Sequence, residues 1–198
     1  MPGAAWRGVS LKNDESRSKH VLVSARELSL GYDAPLFEGV DIDLREGEAV
    51  ELRGRNCAGK STIIKQLLGG SEAQLWDGEL TLDLQCRVGV YEQEVSPQYF
   101  GLPLKTAIER VYMDKGLTIN ETKIRQLMSD YLFTEGDGQV PVRRLSGGQK
   151  ARLQIIAMLA NDPQLLILDE PTNHLDLPSI EELETALEKY TGAIMYVS

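Results

Sequence analysis

The sequence has no long hydrophobic run, and this excludes a helix that could span a membrane. The longest uninterrupted apolar stretch is Ile155 to Ala160, whereas a span needs about 18 apolar residues. The amino-terminal residues also lack the apolar core of a secretory signal. We therefore expect a cytoplasmic protein without a transmembrane segment.

Cysteine, histidine and positive charge are scarce as well. Cys57 and Cys86 are too few for a disulfide framework, and His20 and His174 are the two histidines. Lysine and arginine number 21 against 30 aspartates and glutamates, which gives a net charge of −9. Because broad binding to phosphate backbones needs a basic surface, we expect no strong nucleic-acid binding by this chain alone.

The 198 residues, 42% of them hydrophobic, are enough for one compact domain with a core. Residues 1–19 are small, polar and of mixed charge, and we interpret them as a flexible lead or the remnant of a linker. Strand-like and helix-like segments alternate over 20–198, except for a mostly helical stretch at about 95–160. The pattern predicts an α/β core with a helical insertion.

Local patterns give approximate bounds for the elements. Residues 118–121 match a capping box, and Pro178 suits the first position of a helix. We predict strands at 21–30, 40–44, 49–52, 79–84, 87–91, 165–168 and 193–197, and helices after 60 and at 106–113, 120–133, 147–160 and from 178.

A glycine-rich segment from Gly54 to Ser61 fits the pattern G-x-x-x-x-G-K-[ST] between a predicted strand and a predicted helix. Its glycines let backbone N–H groups converge on phosphate oxygens, and the helix dipole adds positive potential. Lys60 would reach the β- and γ-phosphates, and the Ser61 hydroxyl would ligate Mg²⁺. A glycine turn with a chance lysine is the alternative, and the strand–loop–helix context favours nucleotide binding.

Asp169 and Glu170 follow a buried apolar strand. A carboxylate at the carboxyl end of such a strand can hold the Mg²⁺ shell, and the next one can act as general base on a water. Acids that cap a helix after a core strand are the alternative.

The segment Leu145-Ser146-Gly147-Gly148-Gln149 opens a predicted helix. Ser146 suits the N-cap, and the two glycines expose N–H groups at the positive end of the dipole. This is a second phosphate-binding surface in one chain, unless it is an ordinary serine–glycine turn.

With these motifs, residues 20–198 resemble the ATP-binding-cassette (ABC) ATPase superfamily. GRNCAGKST looks like its Walker A loop, LSGGQ is its signature, and LLILDE looks like Walker B. The resemblance implies a P-loop NTPase core of the ABC type, with a mixed or parallel sheet and flanking helices, an amino-terminal antiparallel β part and a helical signature subdomain. It also assigns the rest of the loop to ATP binding, namely Gly54, Arg55, Asn56, Cys57, Ala58, Gly59 and Thr62.

The resemblance implies further site residues. Gln93 falls where the family has a glutamine that contacts Mg²⁺ and the attacking water, so Lys60, Gln93 and Glu170 would be catalytic. Tyr32 falls where an aromatic ring stacks on adenine, although by itself it would suit a core or a turn. Asp176 matches the family's D-loop aspartate, and the metal ligands would be Ser61, Gln93 and Asp169.

The resemblance also implies a partner. ABC cassettes pair head to tail, so residues Ser146 to Gln149 would act on the ATP of a second cassette, in the same polypeptide or in a homodimer. Hydrolysis separates the pair, and this motion is the usable output.

Two segments, Pro171 to Asp176 and Lys150 to Leu153, are similar to the F subfamily. Its members carry two cassettes and no membrane domain, and act on ribosomes in translation or antibiotic protection. A cassette of a membrane transporter, and an ATP-gated binding module without turnover, are the alternatives.

The sequence departs from the family at two places. Cys57 stands where glycine is favoured, so it either strains the loop, weakens ATP binding and exposes an oxidisable thiol, or is tolerated. The family's switch histidine should follow a strand that ends in Val-Ser, and here Val197-Ser198 are the last residues. We expect a chain truncated before that histidine, which binds Mg-ATP but turns it over poorly alone.

Overall fold

The computed structural model describes residues 9–10, 20–54, 58–92, 94–172 and 175–197. The chain divides into two compact units. The first takes Met1–Val88, Gln164–Glu170 and Thr191–Ser198, and the second takes Gly89–Pro163 and Pro171–Tyr190.

Thirteen elements of regular structure, apart from short 3-10 turns, occur in the described ranges. The strands are β1 (Val9–Ser10), β2 (Val21–Gly31), β3 (Pro35–Arg45), β4 (Ala49–Leu52), β5 (Gln74–Leu82), β6 (Val88–Tyr91), β7 (Leu165–Asp169) and β8 (Ala193–Val197). The helices are α1 (Lys60–Leu67), α2 (Leu104–Asp114), α3 (Glu121–Asp130), α4 (Gly147–Leu159) and α5 (Leu177–Glu188).

The first unit contains an antiparallel sheet in the order β3-β2-β5. Alternate residues of β3, namely Val40, Ile42 and Leu44, are buried, as expected for strands with one face on the core. β2 carries register shifts between Ala25 and Leu28, where Glu27 has a φ of +46°. This is the antiparallel β part that the resemblance implies.

The same unit holds the parallel strands. β4 and β7 both pair in parallel with β8, and β1 lies antiparallel to β4 on its other side. Leu165 to Leu168 are all at most 1% exposed, as is usual for a parallel strand covered on both faces. The fold class expected from the sequence, α/β with a mixed sheet, is confirmed.

The second unit is mostly helical. α2 buries Leu104, Ala107, Ile108 and Val111, a spacing that places these side chains on one face. They pack in one hydrophobic cluster with Ile124 and Leu127 of α3 and with Leu153 and Ile156 of α4.

Three predicted helix starts are wrong by one or two residues, and the first is that of α2, which begins at Leu104 and not at residue 106. Asn120, not Thr118, caps α3, because its side-chain oxygen accepts the Lys123 N–H at 2.8 Å. α5 begins at Leu177 with Pro178 second, because Asp176 takes the cap position. No helix in the described part of the chain is long and apolar enough to cross a membrane.

Candidate functional site

The site of the first unit is built on the register of three parallel strands. Val197, at the end of β8, pairs with Leu52 at the end of β4 and with Asp169 at the end of β7. Neighbouring strands lie about 4.8 Å apart. The loop that leaves β4 and the carboxylate that ends β7 therefore flank one strand end, about 10 Å apart.

The glycine-rich loop connects β4 to α1. The Lys60 side chain is 5% exposed, and its Nζ donates a hydrogen bond to the Gly54 carbonyl oxygen at 2.6 Å. The ammonium is thus held by a backbone acceptor at Gly54, where the segment begins. A phosphate oxygen is a stronger, charged acceptor for the same group.

Gly59 sets the direction in which α1 begins. Its φ is +89°, and a Cβ at this position would lie 2.8 Å from Cδ1 of the Phe37 ring. As N-cap of α1 it has no side chain to accept the first-turn N–H groups, and no acidic residue occupies that turn. The helix start therefore suits an external anion.

The two acids lie where β7 ends. Asp169 is half-buried, and the Glu170 N–H donates to the Val197 carbonyl oxygen at 3.0 Å. Glu170 has a φ of +45°, which is uncommon for a residue other than glycine. Its backbone is thus held in a strained turn at the strand end, as is frequent at functional sites.

These residues fit a nucleotide with a magnesium ion. No cluster of three or more histidine, cysteine, aspartate or glutamate side chains that could hold a metal occurs among the residues described. Mg²⁺ needs few protein ligands, since it keeps several waters and binds substrate phosphates. Ser61 and Asp169 can supply a hydroxyl and a carboxylate, and the buried ammonium of Lys60 can supply a charged donor to a phosphate.

Tyr32 lies in the turn between β2 and β3 and is 48% exposed. The strand that follows this turn approaches Gly59, because a Cβ on Gly59 would also lie 3.3 Å from Leu36 Cβ. The Tyr32 ring, exposed in the turn that precedes this strand, is available for stacking on a base.

Several predicted residues lie outside the described part of the chain. They are Arg55, Asn56 and Cys57 of the loop, Gln93, and residues 173, 174 and 198. Ala58 and Thr62, the other members of the motif, are half-buried at the end of the loop and in α1.

The second unit holds the LSGGQ segment at the start of α4. Ser146 is the N-cap, and its Oγ accepts the Gln149 N–H at 3.2 Å, while Gln149 Oε1 accepts the Ser146 N–H at 3.0 Å. This reciprocal pair is a complete capping box. The N-cap role predicted for Ser146 is confirmed.

Asp176 lies against the same segment. It caps α5 by accepting hydrogen bonds from the Ser179 hydroxyl and N–H, which hold the pKa of its carboxyl below the usual range. A Cβ on Gly147 would clash with Oδ2 of Asp176. Glycine at this position is therefore what allows the two segments to meet.

Sequence reasoning missed the side chains that fix the α4 segment. Arg152 Nε donates to Glu182 Oε1 of α5 at 2.7 Å, and Gln149 Nε2 donates to Asp137 Oδ1 at 3.0 Å. Both partners are distant in sequence or lie in an irregular loop, so periodicity gives no signal for them. The pattern Thr134-x-x-Asp137, typical of a side-chain-stabilised turn, was the one available hint.

Comparison with known proteins agrees with this geometry. The sequence pattern of the family described as ABC transporter matches residues 37–173. The chain is 36% identical over 172 residues to the probable ATP-binding protein YbiT of Escherichia coli O157:H7, covering 86% of this chain and 32% of that protein.

Two further relatives carry more specific names. The ribosome protection protein VmlR of Bacillus subtilis is 32% identical, over 82% of this chain and 28% of its own. The ABC transporter F family member 4 of Arabidopsis thaliana is 33% identical, over 89% of this chain and 25% of its own. The chain thus spans about a third or less of the length of these relatives.

Among solved structures, cbiO1 from Clostridium perfringens, part of the ABC transporter complex cbiONQ, shares the fold. It matches with a TM-score of 0.70 and 23% identity over 90% of this chain and 78% of that chain. The match to the family pattern and the likeness to these relatives lead to one conclusion: the chain belongs to the ABC family and is one of its ATP-binding cassettes.

Proposed function

We propose that this cassette binds Mg-ATP and hydrolyses it, and that it belongs to an F-type ABC protein acting on the ribosome in the cytoplasm. The observation that carries the nucleotide site is the register of β4, β8 and β7. It holds the phosphate loop and Asp169 on either side of Val197.

Each residue at this edge has a proposed role. Lys60 exchanges its bond to the Gly54 carbonyl oxygen for the β- and γ-phosphates, and loop N–H groups from Gly54 to Thr62 enclose the phosphates. Ser61 and Asp169, together with Gln93, would hold Mg²⁺, and the ion would neutralise charge that develops on the phosphates. Glu170 orients a water and accepts its proton. Tyr32 stacks on the adenine.

The remaining loop residues and the domain bounds stay part of the proposal. Arg55, Asn56, Cys57, Ala58 and Gly59 contribute backbone to the phosphate loop. Residues 20–198 form the cassette, with 95–160 as its helical subdomain and 1–19 as a lead or linker.

The second phosphate surface acts on a partner. The Ser146 hydroxyl accepts from the Gln149 N–H, so its own hydrogen remains available as a donor. With Gly147, Gly148 and Gln149 it would close over the nucleotide of a second cassette, in the same polypeptide or in a second copy. Asp176, which touches Gly147, would belong to the same interface.

The ribosome is the proposed target because of the named relatives. VmlR is a ribosome protection protein, and the Arabidopsis protein is an F family member. The PTNHLD segment, Pro171 to Asp176, is similar to the F subfamily. The ribosomal contact belongs to the whole protein that carries this chain, because the cassette itself has a net charge of −9.

A fractionation experiment tests this proposal. The protein carrying this chain is tagged and expressed as the Glu170→Gln variant, which is expected to retain ATP, and as Glu170→Gln/Lys60→Ala. We expect the single variant to sediment with ribosomes and the double variant to stay in the supernatant.

Two results would contradict the ribosomal role. Recovery of the Glu170→Gln variant with washed membranes would favour a transporter cassette. Recovery with neither fraction, together with intact ATP binding, would favour an ATP-gated module. The Lys65→Ala change, on the exposed last turn of α1, is the matched control for loss of a lysine.

A further inference from the structure

We propose that Asp137 and Gln149 are positioning residues that fix the Ser146 hydroxyl for the nucleotide of the partner cassette. The proposal rests on the proposed function, because it assigns the LSGGQ segment to that nucleotide. It gives Gln149, besides its proposed contact with the partner's nucleotide, a second role that acts through Ser146.

The Gln149 side chain is engaged at both ends of its amide. Its Oε1 accepts the Ser146 N–H at 3.0 Å, and its Nε2 donates to Asp137 Oδ1 at 3.0 Å. Gln149 is half-buried in α4. Both ends of the amide are therefore held by neighbours in the same chain, and this fixes the position of the side chain.

The chemistry of the two neighbours fixes which way the amide points. A backbone N–H can only donate, so it selects the oxygen of Gln149, and an ionised carboxylate can only accept, so it selects the nitrogen. Rotating the amide by 180° would place donor against donor at Ser146 and oxygen against oxygen at Asp137. The orientation therefore depends on Asp137 being a carboxylate.

Asp137 is itself held in place by its own turn. Its Oδ2 accepts both the N–H and the hydroxyl of Thr134 at 2.7 Å. These bonds and the Gln149 amide, with the nearby Arg152 charge, hold the pKa of the Asp137 carboxyl below its ordinary value. The carboxylate thus stays ionised at neutral pH and fixes the orientation of the Gln149 amide.

The fixed orientation of the Gln149 side chain affects Ser146 through the capping box. With Gln149 fixed, its N–H donates to Ser146 Oγ at 3.2 Å, and this uses one lone pair of the hydroxyl. The hydroxyl hydrogen then remains available to donate to a phosphate oxygen of the partner's nucleotide. Asp137 thereby acts on the reaction without touching ATP.

Exchanging the hydrogen-bond donor and acceptor groups between positions 137 and 149 tests the proposal. In Asp137→Asn one donor and one acceptor replace two acceptors, and in Gln149→Glu two carboxylates face each other, so each single change breaks the network. In Asp137→Asn/Gln149→Glu, the amide introduced in the turn can donate to the carboxylate introduced in α4, while the oxygen of that amide accepts from Thr134. The double variant also keeps the net charge.

The variants are made in the 198-residue chain with Glu170→Gln. Mg-ATP affinity is followed with a fluorescent nucleotide analogue, ATP-dependent self-association by sedimentation velocity, and folding by thermal unfolding. At chain concentrations too low for self-association, we expect nucleotide affinity within about twofold in all variants, because the proposal assigns the changed residues to the partner's nucleotide. Self-association should weaken at least about tenfold in each single variant and return to within about threefold in the double variant.

Single variants that associate like the parent, or a double variant that does not recover, would overturn the positioning role. A parent chain that binds Mg-ATP without associating would instead contradict the proposed pairing. In that case, hydrogen exchange of the Gln149 side-chain amide tests whether Asp137 fixes its orientation. Slow exchange that becomes fast in Asp137→Asn supports it, and exchange as fast as in a solvated glutamine overturns it.

Discussion

At the residue scale, the phosphate loop depends on a backbone angle and a close approach at Gly59. The φ of +89° lies in the left-handed region, and the Phe37 ring occupies the space that a side chain would need. Both conditions select glycine at the residue where α1 begins.

The Gly59→Ala variant is expected to lose about 1–3 kcal/mol of unfolding free energy because of this strain. Gly70→Ala is the matched control, since Gly70 lies beyond the opposite end of α1, has no left-handed φ, and a new Cβ there would be 4.0 Å from its nearest atom. Urea unfolding of both variants measures the difference. Equal unfolding free energies of Gly59→Ala and Gly70→Ala would contradict the requirement for glycine at position 59.

A pH effect is expected from the ion pair of His20 and Asp83, which joins the start of β2 to the end of β5. The hydrogen bond to Asp83 raises the pKa of His20, and the same bond, with the Gln85 N–H, lowers the pKa of Asp83. The His20 contribution is present below about pH 6.5 and is lost as the pH rises through the folded pKa. The Asp83 contribution is lost as the pH falls through its lowered pKa.

Thermal unfolding of the native chain and of His20→Asn measures this effect. We expect the Tm of the native chain to exceed that of the variant most at about pH 5–6.5, and the difference in Tm to become smaller toward pH 8. The shift is expected to be small, because the pair is exposed. A difference in Tm between the two chains that stays constant from pH 5 to 8 would contradict a contribution of His20 protonation to stability.

At the element scale, the helix that begins with the LSGGQ segment is tied to the helix that begins after Asp176. Arg152 of α4 donates to Glu182 of α5, and its guanidinium also reaches the carbonyl oxygens of Tyr131 and Leu132. It lies 5.8 Å from the centre of the Phe133 ring. One side chain therefore joins three segments of the helical unit.

A double-mutant cycle with Arg152→Met and Glu182→Gln measures the coupling between these helices. The side chains are 21% and 27% exposed, so we expect a coupling of about 1 kcal/mol. The pair of Arg125 and Glu121 within α3, 66% and 56% exposed, is the control and should give about 0.3–0.5 kcal/mol. Equal coupling energies in the two cycles would contradict a stabilising link between α4 and α5 through Arg152 and Glu182.

Much of the element pattern could be predicted from the sequence, because it depends on local chemistry. The apolar run Leu165 to Leu168 predicted β7, and Ser146 predicted the start of α4. The start of α3 was misplaced because both Thr118 and Asn120 can cap a helix, and local pattern does not choose between them.

The contacts that complete the candidate site could not be predicted in the same way. The pairing of Val197 with both Leu52 and Asp169, and the contact of Gln149 with Asp137, depend on tertiary packing. Sequence spacing contains no information on such registers unless a motif supplies it.

At the scale of the whole molecule, the chain carries its two proposed phosphate-binding segments in different compact units. Lys60 belongs to the first unit and Ser146 to the second. The proposed function assigns them to different nucleotides, and this division predicts complementation between chains.

An equimolar mixture of a Lys60→Ala chain and a Ser146→Arg chain tests that division. Each variant alone lacks one half of every paired site, whereas the mixed pair contains one complete site. With Glu170→Gln in both chains, we expect Mg-ATP to produce a mixed dimer with one nucleotide, seen by native mass spectrometry. Association of either variant alone as strong as that of the mixture would contradict action in trans.

The central claim is that the edge formed by β4, β8 and β7 is a site for Mg-ATP, and isothermal titration of the 198-residue chain tests it most directly. We predict one Mg-ATP per chain, with affinity at least about 100-fold weaker in Lys60→Ala because its ammonium is the charged donor to the phosphates. Lys65→Ala should bind like the unmodified chain. Equal affinity of Lys60→Ala and the unmodified chain, or no binding by either, would contradict the account.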